Sequence, residues 1–569
     1  MKRIKTECEK KIYEGNQLNR VLTLISQLLN AVICIAFSFI LSFLIDSVQV
    51  RDDKFILKGT YIFIAYFATY LLFSFLNRRY KNRYMNRAIY QFKNYIFEKI
   101  LERPVFELIE NSSAKFISVF VNDLALIEAN FIFGDIMLFS TVMLFLGASL
   151  AIMWNCWFMG IPILTVTLIC LGLAIRYGKK LIVQETQTSE QNQEFVSQVK
   201  DLLNGYHVIK GFQTEKEVLH IFSNQNMHLE DTKCDKRRAS DAIYICGDVS
   251  SLVVNTVIIG MGFLLTFKGI ISIGRVMAMV QLGNFILSPI RTLPMLISSR
   301  NAALELINRI DEKIQYTEPI LKGIELDKFQ DNIVMQNVTF SYGKEQENLK
   351  DVSLLFEKGK SYAIVGESGS GKSTILKLLL GYFQNYKGTI SIDGIDIKKL
   401  DLAKLYALIS VIQQDVFMFN SSIYNNITMF KSFDEEEVRR TIDYAGLSEV
   451  VKNKGAEYLC GDGGTNLSGG EKQRVSIARC LLRKCPIVLV DEATASLDNE
   501  TALQVERTIL ELENVMKIIV THRYNKVLMK RYDELIVLNN GKVIERGNFD
   551  TLMKKRGYFY LLYSIANDD

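Results

Sequence analysis

Metal-binding chemistry is thinly supplied in this 569-residue chain, which has four histidines and nine cysteines, with no two cysteines in a CxxC pair. That supply argues against a zinc site. The cysteines, scattered from Cys8 to Cys485 and odd in number, read as free thiols and give no sign of an oxidised, disulfide-stapled scaffold. Charge of one sign is also missing. Lys plus Arg is 67, Asp plus Glu is 62, and the formal net charge is +5. A chain built mainly to bind nucleic acid would carry a larger and more clustered basic excess. No internal repeat or low-complexity tract is evident, and the apolar run after Arg20, too long for a signal-peptide core, is expected to stay as a span. What is present is length and uneven hydropathy. The chain is too long for a single core, which predicts about two to four domains. Its hydrophobic residues, 49% of the total, are concentrated in the first half.

Long apolar segments recur at 21–45, 59–77, 131–153, 157–175, 243–267 and 276–299. Each approaches or exceeds the roughly 20 residues that a helix needs to cross hydrocarbon. The first contains no charge; the last carries Gln281, Asn284, Arg291, Pro289 and Pro294, groups that usually face a bundle or cavity. Six spans are predicted. The stretches 1–20, 78–115 and 176–240 hold twenty-five Lys and Arg residues, against five in 46–58, 154–156 and 268–275. This bias predicts a cytoplasmic N-terminus and a cytoplasmic second half. The inner loops 78–130 and 176–242 lack Pro/Gly clusters and read as helical hairpins with arms of about 25 residues, reaching about 40 Å below the membrane. Turns are expected near Asn111–Lys115 and Gly205–Phe212, where capping or helix-breaking residues interrupt the pattern.

After a charged linker at 311–332, short β-rich runs alternate with helical ones, predicting a parallel sheet covered by helices. The expected organisation is an all-α six-helix membrane domain (1–310), the linker (311–332) and an α/β P-loop NTPase domain with a helical subdomain (333–569). The run Gly366-Glu-Ser-Gly-Ser-Gly-Lys-Ser373 follows the strand-like SYAIV and opens a helix at Thr374. Its glycines Gly366, Gly369 and Gly371, with Ser368 and Ser370, let backbone N–H groups turn toward phosphate oxygens, and the helix N-terminus adds positive potential. Lys372 is expected on the β/γ-phosphates of ATP and the Ser373 hydroxyl on Mg²⁺. The apolar run from Ile487 delivers Asp491 and Glu492 at its end, an expected Mg²⁺ holder and an expected general base for water. Between these motifs, Ser468, Gly469 and Gly470 precede a helical run and offer a second anion cradle. One γ-phosphate does not need two cradles from one polypeptide, so the second is expected to serve a nucleotide on another copy.

GESGSGKS, LSGGE and LVDEATASLD, in that order after six spans, resemble the ATP-binding cassette exporters of the half-transporter kind, across nearly the whole chain. The resemblance implies two copies paired head to tail, each ATP lying between the P-loop of one and Ser468–Gly470 of the other. It implies that Tyr342, 24 residues before Gly366, stacks on adenine. It also implies that Gln414 senses Mg²⁺ and touches a coupling segment, that Asp498 lies in the loop crossing the dimer, and that His522 contacts the γ-phosphate and assists Glu492. Segments 111–118 and 205–212 match the coupling helices. Three positions depart from the usual pattern: Gln413 for proline, Glu471 for glutamine, and Asp462 for glutamate.

The expected function is ATP-driven export of an amphipathic or hydrophobic drug, lipid or peptide across the plasma membrane by a dimer of half-transporters. A lipid flippase or an importer of the same fold is the alternative. The mate is expected to be either a second copy or a different half, and nucleic acid is not an expected partner. The twenty residues before the first span are too few for a leader-cleaving protease, so an exporter that also processes its own peptide cargo is not expected.

Overall fold

The computed structural model describes residues 6–50, 53–103, 105, 113–314, 323–343, 347–492 and 499–567. The chain divides into two compact units, one comprising Met1–Arg103 with Asn111–Thr317 and the other containing Glu318–Asp569.

The first unit is helical. A short α1 (Glu7–Tyr13) begins at Thr6, whose hydroxyl accepts from the Glu9 N–H at 3.3 Å, with acids in the first turn and Lys10 and Lys11 in the last. Such a cap satisfies a donor that the helix leaves unpaired, and the charges complement its dipole. Then come α2 (Gln17–Val50), α3 (Asp53–Leu101), a span Phe116–Asn155 ending in α4 (Phe133–Asn155), α5 (Trp157–Asn204), α6 (Tyr206–Phe212), α7 (Glu215–Phe267) and α8 (Ile273–Ile314). Six of these helices are long and apolar enough to cross a membrane, and each contains one of the six apolar segments. Their outward faces keep large apolar side chains exposed, as on Phe63, Leu72, Leu168, Phe263 and Leu264, which suits hydrocarbon as the surrounding solvent.

Close packing between the spans uses small residues. A methyl group added at Gly178 would meet Pro294 at 3.0 Å, and one at Gly262 would meet Val276 at 2.8 Å. Small residues at such crossings let helix backbones approach. The third span opens with two π-helical stretches, Val119–Asp123 and Glu128–Ile132, which the sequence pattern did not reveal.

The arms beyond the spans, 78–101, 176–204 and 215–242, are close to the expected 25 residues, because α3, α5 and α7 continue from the spans without a break. The first turn begins earlier than expected. Helix α3 ends at Leu101, three residues before Pro104, whose ring disfavours helix in the residue before it. Lys115 lies within the helix Ser113–Ser118, while residues 111–112 lie outside the described residues. The second turn falls at Gly205, with α6 closed by Gln213 in the left-handed region (φ 57°).

The second unit holds two sheets. The antiparallel one runs β2-β1-β4-β5, from β1 (Asn332–Phe340), β2 (Leu349–Glu357), β4 (Lys387–Ile392) and β5 (Ile395–Asp396). The other runs β10-β9-β3-β8-β7-β6. Its members β3 (Ser361–Gly366), β6 (Ile409–Ile412), β7 (Ile487–Asp491), β8 (Met516–Val520) and β9 (Glu534–Asn539) pair in parallel, and β10 (Lys542–Gly547) is antiparallel at the edge. Strands β3, β7 and β8 are almost wholly buried, as their unbroken Ile/Val/Leu runs require of a sheet covered on both faces. Residues 311–314 continue α8. Ile324 bridges to Leu400, Phe329 is buried in the sheet core, and the Gln330 and Asp331 N–H groups donate to Asp393.

Candidate nucleotide site

Three adjacent parallel strands, β3, β8 and β7, present their carboxyl ends on one edge of the large sheet. Ligands in open α/β sheets bind at that edge. The loop Gly366–Ser373 leaves β3 and enters α9 (Lys372–Leu379). Its three glycines take positive φ, where any side chain is strained. Gly366, Gly369 and Gly371 have φ of 151°, 81° and 102°. A side chain at Gly366 would strike the Leu538 carbonyl, and one at Gly371 would come within 2.7 Å of Leu349.

Lys372 is only 4% exposed, and its ammonium donates to the Gly366 and Glu367 carbonyls at 3.0 and 2.9 Å. Burial pushes its pKa below the ordinary lysine value, against the pull of Glu492 and Asp491. Among the described residues it makes no ion pair. The Ser370 hydroxyl in the same loop is buried and has no hydrogen-bond partner among the described residues. A buried cation beside a buried unsatisfied donor, inside a ring of turned backbone, is a cradle shaped for an anion.

Opposite it, the Ser373 hydroxyl donates to Asp491 at 2.8 Å. Burial raises the pKa of Asp491 above the ordinary aspartate value, partly offset by the Ser373 hydrogen bond. Glu492 sits in the left-handed region at φ 49°, with its N–H donating to the Val520 carbonyl at 3.1 Å. A non-glycine residue there is strained, costing about 1–2 kcal/mol. In this conformation its carboxylate lies 2.7 Å from His522 Nε2, at the end of β8. The P-loop, Asp491, Glu492 and His522 are therefore gathered at one strand edge. Gln414, two residues past β6, is exposed.

Tyr342 follows β1. Its ring packs edge-on against Phe340 and Phe383, with centroids 5.0 and 5.3 Å away, and its hydroxyl lies 3.3 Å from the Thr374 hydroxyl. The residue remains 49% exposed, an aromatic face near the start of α9. Asp498 lies outside the described residues.

The second cradle is separate. Ser468 caps α10 (Gly469–Arg483), accepting from the Glu471 N–H at 3.2 Å, while Glu471 accepts from the Ser468 N–H at 2.7 Å. The glutamate that replaces the usual glutamine completes a capping box and pairs with Lys454 at 2.9 Å. Burial works to raise its pKa, but Lys454 and the Ser468 N–H outweigh it, and the net shift is downward. Asp462 accepts from the Asn420 side chain at 2.8 Å. Among the described residues no hydrogen bond or ion pair joins Ser468–Gly470 to the P-loop, and Ser468 and Gly469 are exposed.

Two features escaped the sequence. Arg479 on α10 donates to the Asn426 carbonyl and side-chain oxygen at 2.5 and 2.7 Å and to the Phe417 carbonyl at 2.7 Å, tying the segment after Gln414 to the signature helix. Burial lowers its pKa to about 10. Glu367 of the P-loop accepts from the Tyr558 hydroxyl at 2.6 Å. Both depend on long-range pairings, and no local spacing marks them.

A P-loop ATPase cassette joined to a bundle of six long apolar helices defines an ATP-powered membrane protein. The family model for the ABC transporter transmembrane region matches residues 21–290, and that for the ABC transporter itself matches residues 349–495. The chain belongs to the ABC transporters, as a half-transporter with one membrane region and one cassette. It is 28% identical over 546 residues to an uncharacterised ABC transporter ATP-binding protein, YwjA, of Bacillus subtilis, covering 93% of each chain. It is 24% identical over 557 residues to an ATP-dependent lipid A-core flippase of Haemophilus ducreyi, covering 95% of this chain and 94% of that one. A bacterial Atm1-family ABC exporter, solved with ATP bound, has the same fold, with a TM-score of 0.81 at 20% identity over 97% of this chain and 100% of its own. The chain is thus an ABC-type ATPase coupled to transport, with an exporter-type membrane domain spanning the bilayer several times.

Proposed function

We propose that two such chains form a dimeric exporter that moves an amphipathic cargo outward across the plasma membrane, with the N-terminus and the cassette cytoplasmic. The observation that carries the reading is the buried Lys372 ammonium, without an ion pair among the described residues, in a glycine-turned loop. Such a loop suits the phosphates of ATP. The domains in this reading are the membrane domain 1–310, the linker 311–332 and the cassette 333–569.

Ser368, Ser370, Thr374 and the loop glycines line the phosphate cradle, and the exposed face of Tyr342 stacks on adenine. Ser373, Asp491 and Gln414 supply hard oxygen donors that fit Mg²⁺. The Ser373–Asp491 hydrogen bond already sets two of these oxygens side by side. Bound Mg²⁺ would neutralise charge on the phosphates. Glu492, held in a strained conformation against His522, accepts the proton of the attacking water, while His522 keeps that carboxylate aimed. The exposed Ser468–Gly470 face caps the nucleotide of the second copy, with Asp498 in the loop between copies. The twenty-five-to-five Lys/Arg bias supports the cytoplasmic placement.

Purified protein in lipid vesicles tests this. Mg²⁺-dependent ATP hydrolysis is expected, and Glu492→Gln should lower it by about 10²–10⁴-fold, the range for a lost general base, while ATP binding persists. An Mg²⁺-independent rate, or a Glu492→Gln chain as active as the parent, contradicts the proposal.

A further inference from the structure

Among the described residues, a cavity of about 460 Å³ opens within the helical unit between α2, α3, α4 and α8. Its position along each helix is informative. Arg20 immediately precedes the apolar run 21–45, Asp135 stands near the start of 131–153, Arg300 follows the end of 276–299, and Tyr84 lies seven residues past 77. All four helices therefore contribute residues from the same end of their spans, the end that the charge bias assigns to the cytoplasm. On that orientation the cavity falls at the level of the inner-leaflet headgroups.

Its polar wall is built rather than incidental. The Arg20 guanidinium lies over the Tyr13 ring at 4.4 Å, and the Tyr13 hydroxyl donates to Asp135 at 3.0 Å. Arg300 Nε lies 2.5 Å from the other Asp135 oxygen, and its guanidinium stands 5.2 Å from the Phe131 ring. Behind them, the buried Asn16 side chain donates to the Tyr84 carbonyl at 2.9 Å, fixing the α2–α3 junction. Two guanidinium groups and one carboxylate thus line the cavity, a surplus of one positive charge. Asp135 is already shared between Tyr13 and Arg300, and Arg20 makes no ion pair among the described residues. The remaining wall, including Leu24, Leu138, Phe139 and Ile297, is apolar.

A cationic ledge beside an apolar wall at headgroup depth has one chemical complement. We propose that this cavity binds an anionic amphiphile taken from the inner leaflet. Its phosphate or carboxylate lies against Arg20 and Arg300, and its hydrocarbon runs along the Leu24–Phe139–Ile297 wall. The volume is that of a small-molecule site, and charge-assisted contacts from guanidinium to an acidic oxygen are the stronger class of hydrogen bond. As a cargo site it rests on the export reading above. As a binding site it stands alone.

Full-length protein in a neutral detergent is offered equal amounts of phosphatidylglycerol and phosphatidylcholine with matched chains, and retained lipid is counted by native mass spectrometry. The parent chain should retain the anionic lipid by about tenfold, the ratio worth one charge-assisted contact. The double substitution Arg20→Gln with Arg300→Gln should bring the ratio close to one. Asp135→Asn, which keeps hydrogen-bonding capacity but removes the negative charge, should raise it, and this second variant decides the matter where the first fails to fold. Equal retention by the parent chain, or a preference unmoved by both changes, overturns the proposal. Displacement of the lipid by inorganic phosphate alone also overturns it, because the site would then take a free anion. ATP-analogue binding is read on the same preparations. Lipid preference without nucleotide binding contradicts the export reading alone, and nucleotide binding without lipid preference contradicts this one alone.

Discussion

Gly371 shows how a single hydrogen atom sets the nucleotide site. With φ at 102° and Leu349 and the Asn348 carbonyl within 3 Å of any added methyl, Gly371→Ala forces both backbone strain and a clash. Nucleotide affinity should fall at least tenfold, read by fluorescent-ATP titration. Gly369→Ala, with φ of 81° and nothing within 4 Å, carries only the conformational cost of about 1–2 kcal/mol and should bind better than Gly371→Ala. Equal affinities would refute the close-approach argument. Glu471 gives a second prediction at this scale. Its pKa is depressed in the folded cassette by Lys454 and the Ser468 N–H, so its ionised form stabilises the fold. That contribution is complete above the reference value of 4.5 and is lost as pH falls through the lower folded value. Acid unfolding of the parent chain should therefore include this loss, and Glu471→Gln, which cannot titrate, should flatten the low-pH part of the stability curve. An unchanged curve would show that the capping box does not depend on the charge.

The elements divide into those with a local signature and those without. The six spans were legible because an uncharged run such as 21–45 has few other solutions. Strands β3, β7 and β8 were legible because their buried Ile/Val runs end in the motifs themselves. The P-loop conformation followed from its glycines. The antiparallel sheet was not foreseen, since β2, β4 and β5 are short or carry polar residues on an exposed face. The role of Arg479 was equally hidden. Its partners lie 53 and 62 residues away in sequence, so only the fold brings them together. Arg479→Lys keeps the charge but not the planar fork and leaves several carbonyls unsatisfied. It should destabilise the cassette by about 2–3 kcal/mol, given the 1–3 kcal/mol cost of each buried polar group left without a partner. Thermal unfolding of the full chain measures this, and a midpoint within a degree of the parent would contradict the assignment.

At the scale of the molecule, the chain is built around an incompleteness. One cassette carries a phosphate cradle with a buried lysine and, elsewhere, an exposed serine-glycine helix start with no partner of its own in the nucleotide site. The proposed pairing of two copies makes each complete the other, and the energy of closing that pair drives the membrane half. Lys372→Ala removes the cradle of its own copy, and Ser468→Arg removes the cap offered to the other. Each variant alone should give dimers with no intact composite site. Co-reconstituting the two in one vesicle population regenerates one intact site in every mixed dimer, joining Lys372 of one chain to Ser468 of the other. The most direct measurement is ATP hydrolysis by that mixture against each variant alone. Recovery of activity only in the mixture is the predicted result. Activity in the Lys372→Ala or Ser468→Arg chain alone, or a mixture as inactive as its components, would contradict the account.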